Sequence, residues 1–190
     1  MHDYRVGLFD RDGNKLTGRS YSAVVAPVLK NWSLDEIREG DVFLWNDVYE
    51  SEGGIGHLPD LCSCVPIFHG GKLSAFALVF GHHDDVGGMV PGSLPTNATE
   101  VFQEGILVPP IKLYDRGVLN EGAYRIIFRN SRLGEHLRAD IDAEIAACRA
   151  GGARLLELFD RFGRETVLRC FDALLDKCER TIRDELLSKI

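Results

Sequence analysis

Two apolar segments joined by a short polar loop constrain the fold of this chain more than any other feature. Leu61 to Phe68 and Leu73 to Gly81 are almost continuously apolar, and His69-Gly70-Gly71-Lys72 separates them. Apolar runs of this length around a loop with two glycines are typical of a β-hairpin in a buried sheet. We therefore predict that this hairpin forms the centre of the sheet.

Further strands and one short helix are predicted before the hairpin. Tyr4 to Asp10 reads as a strand that ends in a turn, and Asp41 to Trp45 reads as a buried strand. Ser22 is predicted to cap a short apolar helix that runs through Leu29, with Pro27 near its first turn. The first part of the chain is thus expected to be rich in strands.

The second half of the sequence changes character. From Gly87 to Pro110 glycine and proline recur, which predicts an ordered loop or the wall of a site. Beyond Asn120 apolar residues recur every three or four positions, the spacing of amphipathic helices, and Gly151-Gly152 predicts an interruption of this pattern. The apolar stripe of the last helix predicts association with another surface.

These patterns define the expected fold class and domain organisation. We predict a mixed α+β fold with a strand-rich N-terminal half, a metal site on the β-hairpin and a helical C-terminal tail. Residues 1–130 are expected to form a mixed α/β metal-site domain, part of a larger domain. Residues 131–190 are expected to form a helical extension for packing or subunit contact.

Charge and hydropathy argue against several classes of protein. The formal net charge is −7, so no basic face is expected to bind nucleic acid. No apolar run approaches the length that spans a membrane, and the polar start does not resemble a signal peptide, so we expect a cytoplasmic protein. The five cysteines are expected to be reduced, and Cys62 and Cys64 are interpreted as small buried hydrophobes.

Three side chains around the hairpin are candidates for metal ligands. His57 and Asp60 flank Pro59, which favours a turn in which both side chains converge. His82 ends the strand that pairs with the one starting just after Asp60, so the hairpin brings it back beside them. Two imidazoles and a carboxylate leave coordination positions open and suit manganese, iron or zinc. The alternative is a set of exposed loop histidines with carboxylate neighbours.

Side-chain alternation divides the following cluster between two faces. In an extended stretch His82 and Asp84 face one side while His83 and Asp85 face the other. Only one of these pairs can serve the same metal. Asp84 is therefore a candidate for a further ligand, or for a group that orients an imidazole.

Other carboxylates are candidates for general bases. Asp47, Glu50, Glu52 and Glu104 lie in the segments that surround the predicted ligands, and the alternative is that they are ordinary surface charges. We expect Asp47, Asp84 and Glu104 to act in catalysis. His69, in the hairpin loop, is expected to be exposed.

Several nucleotide-binding and hydrolase motifs are missing from the sequence. There is no GxxxxGK[ST] phosphate loop, and the glycines at 53–56 lack the third glycine and helix of a dinucleotide fingerprint. G-x-S-x-G and H-E-x-x-H motifs are absent as well. Any nucleotide chemistry must therefore be supplied elsewhere.

A series of motifs in fixed order resembles one family. The segments are GDVFLWNDVY, GGIGHLPD, GHHDDVGGMVPGS, FQEG, VPPIKLYDRG, LNE, RNSR and RLLEL. Together they resemble the hydantoinase B family. That family includes the B subunit of ATP-dependent hydantoinases, the corresponding half of oxoprolinases, and alpha-type subunits of acetone and acetophenone carboxylases.

The resemblance implies a metal at His57, Asp60 and His82, in a subunit that works with a hydantoinase A-like partner that binds ATP. Such an assembly is a hetero-oligomer acting on a small ketone or cyclic amide. For the carboxylase branch, the resemblance implies that the partner phosphorylates the substrate and that the metal-bearing subunit handles the enol phosphate and its carboxylation. In the hydrolase branch the metal polarises or positions the activated amide.

The opening HDYRVGLFD together with DVYES and HHDD favours the ketone carboxylase branch. An ATP-dependent hydantoinase or oxoprolinase B subunit that hydrolyses a cyclic amide is the alternative. Family members are several times longer, so we expect this chain to be a fragment. A fragment that binds metal but catalyses nothing is the third alternative, and turnover by the isolated chain would exclude it.

Overall fold

The computed structural model describes residues 3–17 and 23–187, and its centre is one antiparallel sheet. In chain order the elements are β1 (Tyr4–Asp10), α1 (Ala26–Asn31), β2 (Val42–Trp45), β3 (Asp60–His69), β4 (Lys72–His82), β5 (Ile111–Asp115), β6 (Val118–Leu119), α2 (Glu121–Asn130), α3 (Gly134–Phe162) and α4 (Arg164–Leu186). The sheet has six strands in the order β1-β4-β3-β2-β5-β6. The predicted α+β class is confirmed.

The predicted hairpin forms the middle of the sheet. β3 and β4 pair from Asp60 opposite His82 to His69 opposite Lys72, with one register shift after Ile67. Gly70 and Gly71 both have positive φ, at 59° and 72°, which glycine adopts without a Cβ clash. The two glycines of the predicted loop therefore allow the tight turn between β3 and β4.

Side-chain alternation gives the sheet two apolar faces. One face packs against α1, and its buried apolar side chains include Phe9, Val25, Val28, Phe43, Trp45, Cys62, Cys64, Phe76, Leu78 and Phe80. The other face packs against the C-terminal helices and includes Leu44, Leu61, Ile67, Ala75, Ala77, Val79, Ile141, Ile145, Cys148, Leu155 and Phe159. The interpretation of Cys62 and Cys64 as buried hydrophobes is confirmed, and burial raises the pKa of both thiols.

The prediction that Gly151-Gly152 interrupts the helical region is wrong. α3 runs unbroken through both glycines, and Gly163, with φ of 81°, ends it. A Cβ on Gly152 would lie 3.2 Å from Cγ1 of Ile67, so the missing side chain lets α3 approach β3 closely. The weaker helix propensity of glycine is offset here by packing between the helix and the sheet.

The predicted short helix exists but begins later than expected. α1 spans Ala26–Asn31 with Pro27 in its first turn and Val25 at the N-cap, whose side chain makes no capping hydrogen bond. Ser22 lies outside the described residues. No helix in the described part of the chain is long and apolar enough to cross a membrane. The division between residues 1–130 and 131–190 stays a prediction.

Buried Asp85 anchors the loop that follows β4. Its carboxylate accepts backbone N–H groups from Gly87 at 2.9 Å, Gly92 at 3.1 Å and Arg132 at 3.0 Å, and pairs with the Arg132 guanidinium at 3.1 Å. Burial acts to raise the pKa of Asp85, but these hydrogen bonds outweigh it and hold the pKa below its ordinary value. The carboxylate therefore ties the start of the glycine-rich loop to the segment between α2 and α3.

Replacing Asp85 by Asn is expected to lower the free energy of unfolding by about 2 kcal/mol near neutral pH. Because the folded pKa lies below the unfolded value, the carboxylate stabilises the fold above the unfolded pKa, and this contribution is lost as pH falls through the folded pKa. Urea denaturation near pH 7 and near pH 3 should therefore show the difference between wild type and Asp85→Asn shrinking in acid. Asp172→Asn, on the exposed side of α4, is the control. A difference that is equal at both pH values would contradict this role.

Candidate metal centre

Two of the predicted ligands are direct partners across two neighbouring strands. Asp60 is the first residue of β3, His82 is the last residue of β4, and the two lie opposite each other in the ladder. Residues directly opposite each other in an antiparallel pair point to the same face of the sheet. The hairpin that forms the core of the sheet therefore also sets the separation of these two side chains.

The third predicted ligand, His57, lies in the turn that leads into β3. The backbone N–H of Asp60 donates to the carbonyl of His57 at 3.3 Å, and Pro59 lies between them. The carbonyl of Pro59 accepts the backbone N–H of His83 at 2.9 Å, which fastens this turn to the end of β4. His57 is thus carried back over the first residue of β3.

The donor atoms of the three side chains converge on one point. His57 Nε2 lies 3.1 Å from Asp60 Oδ1 and 3.0 Å from His82 Nδ1, and His82 Nδ1 lies 3.2 Å from Asp60 Oδ1. Ligands bound to one metal at about 2.1 Å lie roughly 3.0 to 3.4 Å from each other in octahedral or tetrahedral geometry. The triangle formed by these three atoms matches that spacing.

Exposure differs among the three side chains in a way that suits an open site. The Asp60 side chain is 6% exposed, that of His82 is 14% exposed and that of His57 is 38% exposed. Two of the candidate ligands are therefore mostly buried, and the third borders solvent. Three side chains with one accessible side would leave room for water or substrate if they held a metal.

The local charge is negative. The hydrogen bond with Asp60 raises the pKa of His57, while burial acts in the opposite direction, and the charges of Asp60 and Glu104 add to the increase. The same carboxylates that favour a proton on His57 favour a divalent cation in its place. The donor set and the electrostatics of the site therefore fit a metal of the manganese, zinc or iron type.

Glu104 supports the turn that carries His57. Its Oε2 accepts the backbone N–H of Leu58 at 3.0 Å, and Leu58 is itself fully buried. Glu104 ends a single turn of 3-10 helix, Val101–Gln103, in the glycine and proline rich segment. The structure therefore gives this predicted catalytic residue a direct contact with the backbone next to a candidate ligand.

Replacing Glu104 by Ala is expected to weaken metal binding roughly 10-fold, because the turn loses an acceptor that fixes His57. Glu104→Gln keeps an acceptor oxygen and should bind metal more tightly than Glu104→Ala. Isothermal titration with Mn²⁺ measures both affinities. Glu39→Ala, an exposed carboxylate in a different loop, is the control. Equal affinity for Glu104→Ala and wild type would show that the contact does not position His57.

The other predicted carboxylates do not join the three candidate ligands. Asp47 Oδ1 accepts the backbone N–H groups of Tyr49 at 2.8 Å and Glu50 at 3.3 Å, which closes a turn after β2. Asp84 is exposed. Glu52 forms an ion pair with Lys30 at 2.7 Å. A catalytic role for Asp47 and Asp84 stays a prediction. The hydrogen bonds of Asp47 and the ion pair of Glu52 stabilise local structure.

Sequence reasoning missed Asn46, a fully buried residue next to the site. Its side-chain amide donates to the carbonyls of Leu58 at 2.7 Å and Ile106 at 2.9 Å, and its Oδ1 accepts the N–H of Val108 at 2.7 Å. One side chain thus joins the His57 turn to the segment before β5. The signal in the sequence is a polar asparagine directly after the apolar run that ends at Trp45.

Sequence reasoning also missed the partner of His83. His83 is 1% exposed on the opposite face of the sheet from His82, and its Nε2 lies 3.3 Å from Oε1 of the buried Glu144 of α3. Alternation correctly separated His82 from His83. The spacing of residues along the chain carried no signal that a carboxylate 61 positions later would cover the second histidine.

Comparisons with known proteins agree with this architecture. The Hydantoinase B/oxoprolinase family model matches residues 1–190. The chain is 33% identical to caprolactamase subunit beta of Pseudomonas jessenii, over 96% of this chain and 32% of that subunit. It is 30% identical to the acetophenone carboxylase delta subunit of Aromatoleum aromaticum, over 96% of this chain and 27% of that subunit. The chain thus spans about a third or less of the length of these relatives.

The fold is also shared with a solved structure. The crystal structure of the ATP-dependent caprolactamase from Pseudomonas jessenii superposes with a TM-score of 0.85 at 31% identity, covering 97% of this chain and 33% of that chain. The family model covers the whole sequence, and both the relatives and the structure agree with it. The chain therefore belongs to the hydantoinase B/oxoprolinase family.

Proposed function

We propose that His57, Asp60 and His82 bind a divalent metal in the subunit of an ATP-dependent enzyme that acts on an activated carbonyl compound. The observation that carries this proposal is the convergence of three donor atoms within 3.0 to 3.2 Å of each other at the end of the central hairpin. Manganese is the metal that we propose, with zinc and iron as alternatives, since the nitrogen and oxygen donor set suits all three.

The residues of the chain have separate tasks in this proposal. His57 binds through Nε2 and His82 through Nδ1, so each ring carries its proton on the other nitrogen. Asp60 supplies a negative charge from the buried wall, and Glu104 holds the turn. When bound, a divalent metal supplies Lewis acidity toward a carbonyl, enolate or phosphoryl oxygen.

We propose that residues outside this chain contribute to the substrate pocket and to the nucleotide site. Two concave surfaces among the described residues border α2 and the β5–β6 pair, and neither is lined by His57, Asp60 or His82. The sequence has no phosphate loop. We therefore place ATP on a hydantoinase A-like partner in a hetero-oligomer, and we place the substrate beside the exposed side of His57.

Two substrate classes remain candidates, and each has its own support. The HDYRVGLFD, DVYES and HHDD segments and the similarity to an acetophenone carboxylase subunit favour carboxylation of a ketone through its enol phosphate. The similarity in sequence and structure to a caprolactamase favours hydrolysis of a cyclic amide activated by ATP. The metal geometry serves both, because both reactions develop negative charge on an oxygen.

One activity experiment separates these candidates. The full-length protein and its ATP-using partner are assayed with acetone or acetophenone plus bicarbonate, and with caprolactam, 5-oxoproline or hydantoin, each with and without ATP. ATP-dependent turnover that His82→Ala abolishes and His136→Ala retains supports the proposal and identifies the substrate class. ATP-dependent turnover that survives His82→Ala would overturn it. Metal binding without turnover in any assay would favour the alternative of a non-catalytic metal-binding module.

A further inference from the structure

We propose that the buried pair His83 and Glu144 positions the candidate metal ligands by locking helix α3 to the end of β4. This inference rests on the proposed metal site, and it concerns residues on the other face of the sheet. His83 and Glu144 are positioning residues, since neither lies among the three converging donor atoms.

The pair is almost completely removed from solvent. His83 is 1% exposed and Glu144 is 2% exposed, and His83 Nε2 lies 3.3 Å from Glu144 Oε1. The other oxygen of Glu144 accepts the hydroxyl of Ser63, in β3, at 2.8 Å. Three elements, β3, β4 and α3, therefore meet at one carboxylate.

The residues around His83 and Glu144 leave space for the pair and add a second acidic neighbour. A Cβ on Gly81 would lie 2.5 Å from Cε1 of Tyr4 and 2.6 Å from Oε1 of Glu144, so the glycine leaves room beside β4 for both side chains. His83 Nδ1 faces Asp140 of α3 at 3.6 Å, which gives the ring a second acidic neighbour from the same helix. An apolar core would fill this space with less cost than two ionisable groups, so packing alone does not explain them.

The connection to the metal centre is short and covalent. His83 directly follows His82, and its backbone N–H donates to the carbonyl of Pro59 in the turn that carries His57. His82 in turn lies opposite Asp60. A shift of the His83 ring thus moves the peptide that fixes His82 and the turn that fixes His57. Because metal affinity depends on ligand geometry, groups that support ligands affect binding strongly.

Glu144→Leu and Glu144→Gln test this inference. Leucine removes the hydrogen bond from Ser63 and the oxygen that lies 3.3 Å from His83 Nε2, whereas glutamine keeps a polar group beside both side chains. We expect Glu144→Leu to weaken Mn²⁺ binding about 10-fold in isothermal titration, and Glu144→Gln to recover most of that affinity. The conservative variant therefore distinguishes a positioning role from a need for negative charge.

A matched packing variant separates positioning from general destabilisation. Leu155→Ala removes buried apolar contacts between α3 and the sheet at a distance from the pair. It is expected to lower the melting temperature without changing Mn²⁺ affinity. If Glu144→Leu and Leu155→Ala lower both quantities in the same proportion, the pair contributes only to stability and the inference is overturned.

A second readout does not require any metal. In the metal-free 190-residue chain, long-range ¹H–¹⁵N spectra report the ring nitrogens of His57 and His82. Glu144→Leu should shift both sets of resonances, and Leu155→Ala should leave them in place. Unshifted resonances in Glu144→Leu would overturn the inference, even if the wild type binds metal. Conversely, shifted resonances in a chain that binds no metal would refute the proposed metal site and leave the positioning role supported.

Discussion

His57→Ala and His82→Ala are each expected to lower the affinity for a divalent metal by about 100-fold or more. Four-ligand zinc sites bind with roughly 10 to 16 kcal/mol, so one ligand contributes about 3 kcal/mol, which corresponds to about 100-fold in affinity. Loss of either imidazole also leaves the Asp60 carboxylate, which is only 6% exposed, beside an incomplete site. Isothermal titration with Mn²⁺ and Zn²⁺ measures the affinity of each variant, and elemental analysis after dialysis measures the metal that it retains.

The matched control for these variants is His136→Ala. His136 is an exposed histidine on α3, away from the three candidate ligands, so its removal should leave metal affinity unchanged. If His57→Ala and His82→Ala bind metal as tightly as His136→Ala, the metal lies elsewhere or the three donor atoms do not hold one.

Asn46→Ala is expected to have the largest effect on stability, with a loss of about 3 to 5 kcal/mol in the free energy of unfolding. Each hydrogen-bonding group left buried without a partner costs roughly 1 to 3 kcal/mol. The variant leaves two such groups, the carbonyl of Leu58 and the N–H of Val108, and it also removes the donor to the partly buried carbonyl of Ile106. Chemical denaturation followed by circular dichroism measures the loss.

The control for this prediction is Asn130→Ala. The Asn130 side chain also donates to a backbone carbonyl, that of Ile126, but it does so at an exposed position where water replaces the lost donor. Its cost should stay below about 1 kcal/mol. Similar losses in the two variants would show that the three contacts of Asn46 do not act together as a structural junction.

The candidate site could be predicted from sequence because it depends on one local element. The loop and the apolar pattern of a β-hairpin determine its register. The first residue of the first strand therefore lies opposite the last residue of the second strand. Asp60 and His82 are those ends, and His57 lies only three residues from Asp60. No long-range information was needed to bring the three side chains together.

The contacts that the sequence did not reveal all join distant segments. Asn46 reaches Val108, and His83 reaches Glu144, and neither pair shares an element whose periodicity could align its members. The continuation of α3 through Gly151 and Gly152 has the same origin, because packing against Ile67 outweighs local propensity. These features depend on tertiary packing between distant segments. The pattern of residues within one segment does not predict such contacts.

Anomalous diffraction from crystals of the metal-loaded chain tests the central claim most directly. Data collected at the absorption edge of the loaded metal should show one peak within about 2.0 to 2.3 Å of His57 Nε2, Asp60 Oδ1 and His82 Nδ1. That result would establish the site from which the proposed chemistry follows. A loaded crystal with no peak at these atoms, or with its peak at other side chains, would contradict the assignment.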